Sequence, residues 1–436
     1  MASQQSYMRL CYLKILSNKY FKNSVWLIID KLFVLGGGLI ATTLVAKYLG
    51  PEQFGILSYG LTLSLFITAV AQWGANYVIF NLAAKDRKKS ELIIHKTMTY
   101  RIVVYLLLSI IVSVVLHIKL DYEDAKVISA ICFCNLFLSL DIYQYYFNGS
   151  LSSQLNTKIT LIAKVSSILS KVCLVVIGVD LVVFTLPILL EGIIVFVLKK
   201  RRFSNISKLS NFVVDKSFST RKYFYEGFPY VASSFLVLAY TKSNELFLQE
   251  LTSFSELGVF TAGMLLSNAW VFVPIAVGTS LLTKAISSGD NSDYAFTYFS
   301  TALISIPIIL LLYFFRNEVI LLTFGSEYMK LSTILPILSI GSLFSVFVFL
   351  INRQISNYEG GGGYLIKKTG ATAAISISFS YLLISIYGVN GAVLTWVITQ
   401  FFGVSLGNIW FKKIKWLDIA YKFLSVKEMI VILRKL

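Results

Sequence analysis

The 436-residue chain is 56% hydrophobic and only 14% charged, with a mean hydropathy of +0.74. Soluble globular chains carry about 25% charged residues, so this composition excludes a soluble protein and indicates a polytopic membrane protein. The net charge of +17 would suggest nucleic acid in a soluble chain, but here the basic residues fall between apolar runs, where they set topology. No nucleic-acid partner is expected.

The first apolar run, VWLIIDKLFVLGGGLIATTLVAKYL, covers residues 25–49. At about 1.5 Å per residue it can cross a hydrocarbon core of about 30 Å. It is too long for the apolar core of a cleavable signal, so it reads as a retained span. Asp30 and Lys31 lie within it, where charge is costly; Asp30 is a candidate proton site, and Lys31 snorkels. The turn LGPEQFG (49–55) cuts the run, and a second span restarts after it. Phe54-Gly55-Ile56-Leu57-Ser58-Tyr59-Gly60 is echoed by Leu257-Gly258-Val259-Phe260-Thr261-Ala262-Gly263, which points to an internal repeat.

Twelve spans are predicted, at 25–48, 56–80, 100–118, 127–147, 159–178, 181–198, 225–248, 257–283, 294–315, 331–352, 367–387 and 389–411. Their loops alternate between a basic set, such as Lys85, Arg87, Lys88 and Lys89, and a neutral or acidic set, such as Asp121, Glu123 and Asp124. By the positive-inside rule both termini are cytoplasmic. The expected organisation is a basic N-terminus (1–24), six helices (25–198), a basic loop (199–224), six more helices (225–411) and a basic amphipathic tail (412–436). The two bundles would be related by an axis along the membrane normal. Pro187, Pro229, Pro274, Pro307 and Pro336 fall in or at the start of later spans, where they can bend helices. Gly360 to Gly363 reads as a flexible connector.

Catalytic signatures are scarce. His95 and His117 have no metal-ligand company, and Cys11, Cys132, Cys134 and Cys173 have neither metal spacing nor a disulfide pattern. No nucleophile elbow or phosphate-binding loop is present, so no cofactor or metal is expected.

Charge inside the membrane remains. Intramembrane ionisable groups usually face a bundle interior or a wet cavity. Lys164 and Lys171, two turns apart in the fifth span, share a face. Lys164 lies at the depth of Asp141 in the fourth span, and those two can pair. Lys171 has no partner at its own depth on adjacent spans, and it is the candidate to face a substrate anion. Around Asp141, the residues Tyr143, Gln144, Tyr145, Tyr146 and Asn148 could contact a sugar or serve as an interfacial aromatic belt. In the seventh span Lys242 and Glu245 are three apart and can neutralise each other, or they can offer an anion contact and a proton-labile carboxylate. Glu191 in the sixth span is a further proton site. Spans eleven and twelve read as uncharged.

Four stretches resemble one family. LVAKYLGPEQFGILSYG (44–60) and YTKSNELFLQELTSFSELGVFTAG (240–263) resemble the opening hairpins of the two halves of bacterial polysaccharide exporters, the O-antigen flippases of the multidrug/oligosaccharidyl-lipid/polysaccharide exporter superfamily. LLTFGSEYMKLSTILPIL (321–338) and GVNGAVLTWVITQ (388–400) resemble that family's turns into spans ten and twelve. Where members often have an aspartate in span seven, this chain has Lys242-Ser243-Asn244-Glu245. The resemblance implies an all-α integral membrane fold, a V-shaped pair of six-helix bundles around a cationic cavity. It implies an undecaprenyl-diphosphate-linked oligosaccharide as cargo, with membrane lipids and other glycan-assembly membrane proteins as partners. It places the chain in the bacterial inner membrane. On that reading Lys171, Lys164 and Lys242 bind the anion, Tyr143, Gln144 and Tyr146 contact the glycan, and Glu245, Glu191, Asp141 or Asp30 carries a coupling proton. A drug or cation antiporter, a flippase for another envelope precursor and a membrane glycan-assembly enzyme are the alternatives.

Overall fold

The computed structural model describes residues 19–207, 220–411 and 413–425, with side chains from Gly36 onward except at 220–222, 226 and 424. The side chains of Asp30 and Lys31, and the tail after Ser425, therefore lie outside the described residues.

The described residues form helices and connecting turns, with no strand. α1 (Lys19–Gln72) holds the first two predicted spans, and α2 (Ala75–Lys85) completes the second. α3 (Arg87–Lys119) is the third. The fourth is broken into α4 (Tyr122–Cys134), α5 (Leu136–Ser139) and α6 (Tyr143–Gly149). α7 (Ser153–Ile177) and α8 (Leu186–Ile206) are the fifth and sixth. α9 (Thr220–Leu251) is the seventh, and α10 (Phe254–Asn268) with α11 (Phe272–Ser288) forms the eighth, bent by 44°. α12 (Asn291–Phe314), then the short α13 (Arg316–Thr323), leads to α14 (Leu331–Ser356) and α15 (Gly361–Tyr387). α16 (Val389–Val404) and α17 (Leu406–Ile409) make the twelfth, and α18 (Trp416–Leu424) begins the tail. Among the described residues, nine helical stretches are long and apolar enough to cross a membrane, or ten counting the bent pair.

Local chemistry explains several boundaries. Gly50 sits at φ 73°, a conformation open to glycine, and Pro51 follows where a helix begins, so the turn kinks α1. Asp86 caps α3 by accepting from the Lys89 amide, and Ser253 caps α10 by accepting from Glu256. The glycine run is not a connector. Gly360 turns with φ 78°, and Gly361 to Gly363 are already the first turn of α15.

Contacts divide the chain into two compact units. The first comprises 1–45 and 60–235, the second 46–59 and 236–436. The division therefore runs through α1 and α9 rather than through the 199–224 loop. The first unit is centred on Ile79, Ile94, Tyr143, Phe147 and Phe203. The second is centred on Tyr298, Leu350, Ile351 and Ile355, with Ile419 of α18 buried against them while Leu417 and Tyr421 stay exposed.

The α1 tip is seated within the second unit. Tyr328 donates its hydroxyl to the Ala46 carbonyl at 3.0 Å, and Lys47 donates to the Leu322 carbonyl at 3.3 Å. Backbones meet at the two repeat glycines. A Cβ on Gly55 would lie 1.9 Å from the Phe254 carbonyl oxygen, and one on Gly258 would lie 1.8 Å from that of Pro51. Only residues without a Cβ permit that approach.

Candidate functional site

In the first unit α7 packs on α8. Exposed Ile162, Val165, Leu169, Val172 and Val176 form an apolar stripe on α7, fit for hydrocarbon. At 100° per residue, Lys164 and Lys171 lie roughly a third of a turn away from that stripe. Both lie off that stripe and are half-buried. Lys164 does not pair with Asp141. It binds Glu191 of α8 at 2.5 Å, and Glu191 is itself buried. Lys171 is half-buried, has no direct ion pair among the described residues, and lies within electrostatic range of Glu191 and Lys164. The trio carries two cations and one anion.

Asp141 sits in the break between α5 and α6. Its partner is Lys199, the first residue of the basic run that the sequence assigns to a loop. The ammonium donates to Asp141 Oδ2 at 2.6 Å, both groups are buried, and the other carboxylate oxygen has no hydrogen-bond partner among the described residues. Tyr143 and Tyr146 are likewise inside the unit. Tyr143 packs its ring 5.2 Å from that of Phe203, and Tyr146 donates to Glu91 at 2.6 Å. Both side chains are turned into the interior of the unit and away from its surface. Gln144 is half-buried and donates to the Asp141 carbonyl at 3.0 Å.

In the second unit Lys242 and Glu245 are 2.5 Å apart, so they neutralise each other along α9. Beside them Asn244 donates to the Ala392 carbonyl at 3.1 Å and accepts from Ser380 at 2.7 Å, while Ser243 meets Ser376 and Ser380, both at 3.0 Å. This buried network ties α9 to α15 and α16.

Three further cations are not evident in the sequence as buried groups. Lys199 is one. Arg101 is fully buried in α3 and donates to the Ala71 and Gln72 carbonyls that end α1, and to the Tyr223 hydroxyl at 2.5 Å. A cation there complements the negative end of a helix. Lys368 corrects the expectation of an uncharged span eleven. It is buried in α15, donating to Asn352 Oδ1 at 2.8 Å and Asn408 Oδ1 at 2.7 Å.

Among the described residues no group of three or more His, Cys, Asp or Glu could hold a metal. What each unit provides is charge held among long apolar helices, the arrangement of a multi-pass membrane protein. Solved structures of that class share the fold. An inward-facing multidrug resistance MATE family transporter of the MOP superfamily aligns over 92% of this chain and 98% of its own, with 15% identity and a TM-score of 0.64. The lipid II flippase MurJ in an inward closed conformation aligns over 94% and 92%, with 17% identity and a TM-score of 0.61. No curated protein sequence matches significantly. The family model described as "Polysaccharide biosynthesis protein" matches residues 20–282, more than half of the chain, and the chain belongs to that family.

Proposed function

We propose that the protein is a flippase. It carries an undecaprenyl-diphosphate-linked oligosaccharide repeat unit, of O-antigen type, from the cytoplasmic to the outer leaflet of a bacterial inner membrane by alternating access. The supporting observation is Lys171, a cation off the apolar stripe of α7, with no direct counterion among the described residues. A half-buried cation with no ion-pair partner in direct contact favours the arrival of an anion. A diphosphate is such a partner, whereas a cationic drug would be repelled. The family supports a lipid-linked glycan, and MurJ, a lipid II flippase by name, supports a flippase. No bond is made or broken. The protein supplies fixed charge to replace water around the phosphates while the lipid tail remains in hydrocarbon.

Glu191 is the best placed of the proposed coupling carboxylates. It holds Lys164 and acts on Lys171, so its protonation would raise the trio from net +1 to net +2 and release Lys164 toward the diphosphate. Glu245 holds Lys242 and Asp141 holds Lys199, and neither of those lysines neighbours Lys171.

The direct test measures surface glycan at equal protein level. Lys171→Ala should reduce display about tenfold or more, and Lys171→Arg should retain most of it. Full display by the alanine variant removes Lys171 from the mechanism. A second measurement follows flipping in proteoliposomes with and without an imposed proton gradient. Glu191→Gln should flip at a rate that no longer responds to the gradient, and a preserved response excludes Glu191 as the proton carrier.

A further inference from the structure

We propose that the inner end of α8 is a loading site for the head of a lipid-linked sugar diphosphate. Two rows of this helix, Phe196–Lys200–Ser204 and Val197–Arg201–Asn205, line an open cleft of about 490 Å³. Within each row the residues are four apart and share a face, with about 6 Å between levels. The three levels differ in chemistry. An aromatic and an aliphatic side chain come first, then two cations, then a hydroxyl and a carboxamide. That order, from membrane toward cytoplasm, matches hydrocarbon, phosphate and polyol in a lipid-linked sugar. Lys200 places its ammonium 5.6 Å from the Phe196 ring centre, so its stem follows the apolar wall. Lys200, Arg201, Ser204 and Asn205 are exposed, while Phe196 is buried at the floor.

The orientation is imposed from inside. Lys199 is locked to Asp141 in the core, which fixes the rotation of α8 and turns the next two residues outward. Basic residues at an inner helix end also follow from topology alone and would then attract any anionic headgroup. The Ser204–Asn205 level argues for a ligand that continues as a sugar beyond its phosphates. The inference rests on the flippase reading for what is delivered, but its test reads binding and not transport.

The full chain, purified in detergent, is titrated by native mass spectrometry with three probes. These are a short-chain polyprenyl-diphosphate-N-acetylglucosamine, the bare polyprenyl diphosphate and phosphatidylglycerol. Lys200→Gln with Arg201→Gln should weaken both diphosphate probes about tenfold, and Lys200→Arg with Arg201→Lys should retain them. Ser204→Ala with Asn205→Ala should weaken the sugar-bearing probe about threefold and leave the bare diphosphate unchanged. Unaltered diphosphate binding in the glutamine pair, or phosphatidylglycerol binding as tightly and lost in the same variant, overturns the proposal. Lys171→Ala separates the two ideas. It should fail to flip yet retain the component of diphosphate binding that Lys200→Gln with Arg201→Gln removes, and if it flips normally the transport site is wrong while the loading site is judged on its own data.

Discussion

Lys199 shows what a single side chain can conceal. It opens the run Lys199-Lys200-Arg201-Arg202, which a charge rule treats as one solvated cluster. One step along a helix rotates a side chain by 100°, and that step separates a core ion pair from an exposed cation. Removing one partner of a buried pair costs about 3–5 kcal/mol, because the other charge is left stranded. Lys199→Ala should therefore lower the melting temperature in detergent markedly. Lys199→Met combined with Asp141→Leu should recover much of the loss, since no charge remains to strand. A double variant as unstable as the single one would show that the pair does more than satisfy itself. The Lys242–Glu245 pair was legible in the sequence because a spacing of three suffices to place both groups on one face. The Asp141–Lys199 and Lys164–Glu191 pairs were not, because their partners come from different helices and depend on how those helices are rotated.

At the level of elements, the order of the spans followed from hydropathy, and the α1 kink followed from Gly50-Pro51. The breaks in the fourth span were hidden. No glycine or proline marks Asn135 or Leu140 to Ile142, and the turn at Asp141 is held by Lys199 from another helix. Gly55 and Gly258, which the expected repeat aligns, pack against each other's turns. Gly55→Ala or Gly258→Ala must push carbonyl oxygens away from a methyl group. Overpacking of this kind costs about 1–3 kcal/mol. Either substitution should lower thermal stability, whereas Gly362→Ala, where a Cβ meets nothing within 4 Å, should leave it unchanged. Equal melting curves for all three would deny that the glycine contact is tight.

For the whole molecule, the alternation of loop charge predicts which ends face the cytoplasm. In spheroplasts of a cysteine-free background, Asp121→Cys should react with an impermeant maleimide at once, and Lys88→Cys only after the membrane is opened. Labelling of Lys88→Cys in sealed cells would invert the proposed orientation. Hydropathy could not show that the tip of α1, residues 46–59, packs with a unit formed mostly by residues after 236, because membership in a unit is a matter of contacts and not of polarity. That membership governs how the protein can be made. A ribosome delivers the hairpin some two hundred residues before it delivers Phe254 and Gly258, so the nascent hairpin waits in the bilayer with its bare glycine face unmatched. The hairpin is thus born with an unfilled contact, and the arrival of Phe254 and Gly258, rather than completion of the first six spans, is the event that fills it.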